Sequence, residues 1–145
     1  MTTLQDVVDI GRHDRLLAVV STFGADPTIQ RSVVNADVLP IPIGGAEVVG
    51  FVTAGKAKLT NLRNRPQVSI TFRSGWQWST AEGRAKLIGP DDAYPEIDAE
   101  RLRLLLSEVF TAAGGFHDDW VAYDRIMVEE RRDAASVSVL RHYSS

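Results

Sequence analysis

A short segment in the middle of the chain has the residue types needed to bind a phosphate group. It reads Thr53-Ala54-Gly55-Lys56-Ala57-Lys58, between an apolar run typical of a strand and a run typical of a helix. The first N–H groups of a helix lack partners within it, and the helix dipole favours an anion there. Gly55 permits close approach of the backbone, and Lys56 and Lys58 add positive charge. The segment predicts an anion site; the alternative is an ordinary turn followed by two solvated lysines.

The distribution of charge along the chain supports a small anionic ligand. The formal net charge is −3, yet no acidic residue occurs between Glu47 and Glu82. This acid-free window carries +5, whereas the remainder, with 11 basic and 19 acidic residues, carries −8. The cations of the window are Lys56, Lys58, Arg63, Arg65 and Arg73. A net acidic chain with one basic segment favours a small anion over nucleic acid, which is bound through a basic face.

Several other chemistries lack the residues they need. The sequence has no cysteine, which excludes disulfides, thiolate metal sites and cysteine nucleophiles. His13, His117 and His142 have no partners at metal-ligand spacing, so we predict no metal site. There is no dinucleotide-binding glycine pattern and no nucleophile motif, and no side chain is assigned as a catalyst. The N-terminus does not resemble a secretory signal and no apolar run approaches the roughly 20 residues of a membrane span, so we expect a cytoplasmic protein that has no membrane partner.

The elements that must position the anion site are mainly strands. Alternation, β-branched runs and the turn residues Gly, Pro and Asp predict strands over 15–23, 28–39, 48–53, 67–73 and 76–88. A short helix is predicted over Lys56–Asn64, since the residue before Pro66 avoids the α region.

The last third of the chain has helical periodicity. An amphipathic stripe predicts a helix from Asp98 to Ala113, a second helix follows at about Asp118 to Arg131, and a closing strand spans Ala134 to Arg141. The stripe consists of Leu102, Leu105, Leu106, Val109 and Phe110. The order favours one α+β barrel domain over residues 1–145, with a short helix after the third strand and two helices before the last.

The motifs together resemble those of a known family. Residues 55–69, GKAKLTNLRNRPQVS, are similar to the K-x-x-N-L-x-x-[DN]-P-x-[VA]-[SA] signature of the pyridoxamine-phosphate-oxidase-like split β-barrels. The segment Gly75-Trp76-Gln77-Trp78 with 81–85 resembles the next strand of that fold. Residues 118–123 and 130–132 resemble the actinobacterial branch that binds coenzyme F420. The resemblance covers nearly the whole chain and implies a split β-barrel of six or more mostly antiparallel strands.

The resemblance also implies an assembly and roles for particular residues. It implies a homodimer with two cofactor sites at the subunit interface. Lys56, Lys58 and Asn61 would hold the cofactor phosphate, with backbone groups of Thr53, Ala54 and Gly55. The ring would lie against the second strand, and the partner subunit would supply two tryptophans as a wall. These strand residues and tryptophans are Gln30, Ser32, Val33, Val34, Asn35, Trp76 and Trp78. The alternative for the tryptophans is packing between the subunits.

The resemblance implies a reductase that uses coenzyme F420, a deazaflavin, to pass a hydride to an electron-poor conjugated small molecule. Two alternatives stay open: an FMN-binding oxidase or reductase of the same fold, and a non-catalytic module that stores or senses a flavin or tetrapyrrole. The C-terminus, Val139 to Ser145, lacks the Arg-Leu-x-Pro ending of authentic pyridoxamine-phosphate oxidases. Pyridoxamine phosphate is therefore not the expected substrate. Arg63, Arg65 and Arg73 are candidates for attracting the polyglutamate tail of F420.

Overall fold

A computed structural model describes residues 3–26, 28–40, 47–95, 97–112 and 118–145. The helices are α1 (Leu4–Asp9), α2 (Lys56–Asn64), α3 (Ala99–Ala112) and α4 (Trp120–Glu129), and a 3₁₀ helix spans Ile10–Asp14. The strands are β1 (Leu17–Phe23), β2 (Ile29–Asn35), β3 (Asp37–Pro40), β4 (Glu47–Thr53), β5 (Gln67–Ser74), β6 (Gln77–Ile88) and β7 (Asp133–Ser144). The predicted bounds of α2 match the structure, and the bounds of the other predicted helices and strands agree with the structure to within a few residues, except for the segment 28–39.

The strands form one antiparallel sheet in the order β2-β1-β5-β6-β7-β4-β3. Its two edge strands, β2 and β3, are separated in sequence by the single residue Ala36. The sheet must therefore curl until its two edges meet at this corner. The predicted α+β split-barrel class is confirmed, with seven strands in the described ranges. The prediction of a single strand over 28–39 is wrong. This segment forms β2 and β3, which lie at the two edges of the sheet and are joined at the buried Ala36.

The concave face of the sheet holds the main core. Residues that alternate along the strands, including Val20, Phe51, Ile70, Phe72 and Val137, are almost fully buried there. Each such side chain contributes roughly 1.5–3 kcal/mol when removed from water. The interior is thus filled by side chains, so a ligand must bind at its rim.

The N-terminal helix closes one end of this core, although no element is predicted before Arg15. Thr3 and Asp6 form a reciprocal capping box at the start of α1. Val7 and Val8 are buried, and the Ser79 hydroxyl donates to the Val7 carbonyl at 2.5 Å. The adjacent valines lack a helical stripe, which explains why periodicity missed the helix.

Helices α3 and α4 pack on the opposite face of β4, β6 and β7. The predicted stripe is confirmed, because Leu105, Leu106 and Val109 form a second core with Tyr123 and Met127 of α4. None of the helices in the described ranges is long and apolar enough to cross a membrane.

Candidate functional site

The strand-to-helix junction has the predicted backbone geometry. Strand β4 ends at Thr53, and α2 begins at Lys56 after Ala54 and Gly55. Gly55 is the N-cap residue, with φ of 118° and ψ of 112°, and no side chain caps the helix. A residue that has a Cβ rarely adopts this φ. The N–H groups of the first turn therefore remain available to an anion.

Lys58 is the most unusual residue of the junction. It is only 6% exposed, and its Nζ donates to the Thr53 hydroxyl at 2.6 Å. That hydroxyl in turn donates to the Ala54 carbonyl at 3.1 Å. Among the described residues no carboxylate forms an ion pair with Lys58. Burial, and secondly the charge of Arg132, lower the pKa of the ammonium group. Within the described ranges the Lys58 ammonium group is therefore buried without a carboxylate in contact with it.

Lys58 lines a cleft of about 490 Å³ at the split between β2 and β4. Besides Lys58, the cleft is lined by residues of two strands, two helices and the turn before β7. These are Val33, Val34 and Asn35 of β2, Val52, Thr53 and Ala54 at the end of β4, Phe110 of α3, Tyr123, Ile126 and Met127 of α4, and Arg132. No aspartate or glutamate from the described ranges lines it. Its size falls within the range of small-molecule sites, and its charged groups are both cationic.

Arg132 is a cleft residue to which the sequence assigned no role. It directly precedes β7, and its Nε donates to Glu130 at 2.7 Å. The run Glu130-Arg131-Arg132 contributes to the family resemblance but contains two equivalent arginines. Arg131 has φ of 50° and forms an ion pair with Asp91, outside the cleft. The sequence does not indicate which of the two arginines faces the cleft. The geometry of the turn places Arg132 in the cleft lining and Arg131 outside it.

The structure brings six of the predicted cofactor residues together in the cleft: Val33, Val34, Asn35, Thr53, Ala54 and Lys58. Asn61 and Gln30 belong instead to a hydrogen-bond chain behind it. The Asn61 amide donates to the buried Thr22 hydroxyl at 3.1 Å, and Thr22 donates to Gln30 at 3.2 Å. These hydrogen bonds link α2 to β1 and β2. Asn61 and Gln30 therefore hold in position the elements that carry the cleft residues.

Three further predicted residues flank the cleft without lining it in the single chain. Gly55 and Lys56 are exposed at the start of α2. The Ser32 hydroxyl on β2 is buried, with no hydrogen-bond partner in the described parts of the chain. The structure of the single chain does not test whether these three residues contact the cofactor, so their roles stay predictions.

The two tryptophans occupy different environments. Trp76 is 97% exposed and lies in the two-residue turn between β5 and β6, where Gly75 has φ of 60°. The strand therefore begins at Gln77, and the prediction that it begins at Trp76 is wrong. Trp78 lies on the strand with its ring edge-on to Tyr143, at a centroid distance of 6.0 Å. Neither lines the cleft of one chain, and their supply by a partner subunit remains a prediction.

The acid-free window does not fold into one cationic patch. Arg63 donates twice to Asp92, at 2.8 and 2.7 Å, so a carboxylate from outside the window neutralises it. Arg65 donates to the Phe23 carbonyl at 2.9 Å, and Arg73 donates to the Gly75 carbonyl at 3.0 Å. Of the five cations, Lys58 alone lines the cleft. The expectation of a single anion-attracting segment is therefore too broad.

A buried carboxyl group lies behind the junction. Asp133 is directly opposite Thr53 in the β4–β7 pairing and is fully buried beside the Asp92 carboxyl group. Burial, and next the adjacent Asp92 carboxyl, raise the pKa of Asp133 to about 8. A Cβ at Gly89 would lie 1.9 Å from an Asp133 oxygen, so only glycine leaves room for it.

The Tyr123 hydroxyl is not positioned to transfer a proton to a ligand in the cleft. Its hydroxyl donates to the Leu106 carbonyl at 3.1 Å, and burial raises its pKa to about 12. The phenol therefore stays protonated at neutral pH, with its proton bound to the backbone. Its ring serves as part of the cleft wall.

Known structures share this architecture, although no family model matches the chain. An F420 reductase aligns over 99% of this chain and 98% of its own, at 14% identity and a TM-score of 0.64. An FMN-binding, pyridoxamine 5'-phosphate oxidase-related protein from Nostoc punctiforme aligns over 95% and 78%, at 12% identity and 0.62. The heme storage protein HutZ from Vibrio cholerae aligns over 98% and 94%, at 16% identity and 0.56. The chain therefore has the split β-barrel fold of these proteins, which confirms the inferred resemblance at the level of the fold.

Replacing Gly55 by alanine tests the geometry of the junction. A Cβ there would lie 4.0 Å from the Lys58 Cβ, so there is space, but φ of 118° is strained for any other residue. We expect a loss of about 1–2 kcal/mol in unfolding free energy, measured by denaturant titration, together with weaker anion binding because the first turn of α2 must shift. Gly75→Ala, at the β5–β6 turn, is the control, with a similar stability loss but unchanged binding. Equal anion affinity in both variants would contradict this account.

Proposed function

We propose that the cleft binds the phosphate of a flavin-type cofactor, coenzyme F420 in preference to FMN, and that the protein is a reductase of an electron-poor conjugated small molecule. The observation that carries the proposal is Lys58, a buried cation with no carboxylate partner among the described residues, beside the uncapped start of α2. A buried charge is costly unless it is paired, and an anionic ligand supplies the partner. Preference for F420 follows from the family resemblance of residues 118–132.

The residues of the cleft suit such a cofactor. Lys58 and the N–H groups of the first turn of α2 hold the phosphate, and β2 offers Val33, Val34 and Asn35 as a platform for the ring. Phe110 and Met127 exclude water from the opposite side. When bound, a reduced deazaflavin supplies a hydride, so the protein contributes orientation, electrostatics and a dry wall.

The same geometry weighs against a heme-storage role like that named for HutZ. Heme iron takes axial ligands such as histidine, cysteine, methionine or tyrosine. The sequence has no cysteine, and no histidine of the described ranges lines the cleft. Tyr123 and Met127 do line it, but the Tyr123 hydroxyl donates to the Leu106 carbonyl, which leaves Met127 as the one side chain of this kind without a backbone bond in the described lining. FMN remains the alternative cofactor, because a single phosphate site serves either ring.

We also propose that two copies associate through the convex face of the sheet. Val19 is opposite Val33 on β2 and Thr71 on β5, so these side chains share that face. Val33 is 62% exposed, and further exposed apolar side chains on the face are Phe23, Ile29, Trp78 and Tyr143. The same face also carries the exposed Arg31 and Arg73. Exposed apolar side chains grouped on one face and interspersed with polar ones mark an association site. A second copy on this face would lie beside the cleft, which shares Val33.

Light scattering should therefore report a dimer at micromolar concentration. Val19→Arg, in the middle of the face, should produce monomers and weaken cofactor binding, because burial of an unpaired guanidinium opposes association. Val121→Arg changes an exposed valine of α4 and is the matched control, expected to remain dimeric. A wild-type protein that is strictly monomeric would overturn the shared-site proposal.

Parallel titration of the purified protein with F420 and FMN tests the cofactor. Tight binding of F420 alone supports the proposal, and protein purified from a host that makes no F420 should be colourless. A yellow preparation with stoichiometric FMN would instead favour the FMN alternative. Hydride transfer from reduced F420 to an enone or biliverdin-like acceptor, followed by cofactor absorbance, would then distinguish a reductase from a storage protein.

A further inference from the structure

Two cations from distant parts of the chain face the same cleft. Lys58 comes from the first turn of α2, and Arg132 comes from the residue before β7. They are close enough for Arg132 to disfavour the charged form of Lys58. Two like charges in a cleft with largely apolar walls oppose each other unless a counter-charge lies between them.

The chain supplies only a partial counter-charge. Glu130 accepts one hydrogen bond from Arg132, at the Nε atom, and its side chain is 46% exposed at the rim. In the described parts of the chain, the two terminal nitrogens of Arg132 donate to no group, and Lys58 donates only to a neutral hydroxyl. Donors on both cations thus remain for a ligand.

We infer that Arg132 is a specificity-determining residue that, together with Lys58, recognises two negative charges at the end of the ligand away from its ring. This inference rests on the proposed function. It defines the ligand class as a ring cofactor whose phosphate is doubly charged or is followed by a carboxylate. The monoester phosphate of FMN and the phosphate with carboxylate tail of F420 both qualify, and the uncharged riboflavin does not. Charge-assisted hydrogen bonds from a guanidinium to such groups are strong and directional.

The test compares Arg132→Gln with Arg131→Gln. Both variants remove one positive charge from the same turn, but Arg131 forms its ion pair with Asp91 outside the cleft. Dissociation constants are measured by titration calorimetry for F420, FMN, riboflavin and pyrophosphate, the last as a probe with two charged phosphate groups and no ring. We expect Arg132→Gln to raise the constants for pyrophosphate and for the preferred cofactor by about 5- to 30-fold. Arg131→Gln should change them by less than about twofold, since exposed charges act weakly at a distance.

The outcomes separate this inference from the proposed function. If a cofactor binds tightly but the two variants bind it equally, the inference is wrong and the proposed function stands. If neither cofactor binds, but pyrophosphate does and depends on Arg132, the proposed function is wrong and the two-charge site stands. Riboflavin binding as tight as that of FMN to the wild-type protein would also overturn the inference. If neither the cofactors nor pyrophosphate bind, both are overturned.

Discussion

Replacing Lys58 by methionine should raise the dissociation constant of the cofactor by about 10- to 150-fold, because a charge-assisted hydrogen bond worth about 1.5–3 kcal/mol is lost. The same change should leave the unfolding free energy of the cofactor-free protein unchanged or higher by up to about 2 kcal/mol, because a buried cation that has no carboxylate partner in the described parts of the chain is replaced by an apolar side chain of similar length. Titration calorimetry and denaturant unfolding measure the two effects.

Lys56→Met provides the comparison for this experiment. Lys56 lies in the same turn of α2 but is exposed, so its loss should weaken binding by no more than about threefold. Affinity of the wild-type protein should also fall at alkaline pH, starting below the usual pKa of lysine, since that of Lys58 is lowered. A destabilised Lys58→Met protein with unchanged affinity would show that the lysine has a structural role.

Replacing Asp133 by asparagine should stabilise the protein at pH 8 and have almost no effect at pH 4. The folded-state pKa of about 8 is above the ordinary value of 3.8, so the unfolded state releases the proton first as pH rises. The stability contributed by the protonated acid is complete below about pH 4 and is lost as pH rises towards 8, by about 1.4 kcal/mol per pH unit. Asparagine imitates the protonated acid, so we expect a gain of about 2–4 kcal/mol at pH 8, reduced by the cost of keeping its amide buried.

Asp91→Asn is the control for this pH dependence. Asp91 is exposed, and its hydrogen bonds with Arg131 lower its pKa, so its contribution to stability is lost as pH falls. The two variants should therefore change the pH profile of unfolding in opposite directions, with the smaller effect at Asp91. Coincident profiles for wild-type protein and Asp133→Asn would mean that Asp133 is ionised in the fold.

Local residue types are sufficient to predict the elements around the site. Gly55 before Lys56 and Pro66 after Asn64 define both ends of α2, because each acts on the backbone within a residue or two. The faultless alternation of 67–73 predicts β5 for the same reason: one face is buried and the other is not. The same residue types did not distinguish the two lysines. In the structure positions 56 and 58 lie about 200° apart around the helix axis, and Lys58 lines the cleft whereas Lys56 is exposed.

Features that depend on distant strands were not predictable in this way. The β-branched run over 28–39 continues through Ala36, and the break there arises because a curled sheet must bring β2 and β3 together. Trp76 alternates with Trp78 in sequence, yet the two-residue turn removes it from β6. Both cases involve a constraint from neighbouring strands that overrides a local pattern.

The sequence by itself determined the α+β barrel class, the strand-to-helix junction and Lys56 and Lys58 as candidate anion ligands, because these depend on short-range backbone preferences and on the order of the elements. The split-barrel form of that class followed from the resemblance of motifs along the whole chain. Only the tertiary structure decided which charges meet. Arg63 is paired by Asp92, Arg132 rather than Arg131 faces the cleft, and the buried Asp133 comes to lie opposite Thr53. The physical reason is that electrostatic interactions depend on separation and burial in space, and the chain brings these residues together only when β4 pairs with β7 and α2 packs against β1 and β6.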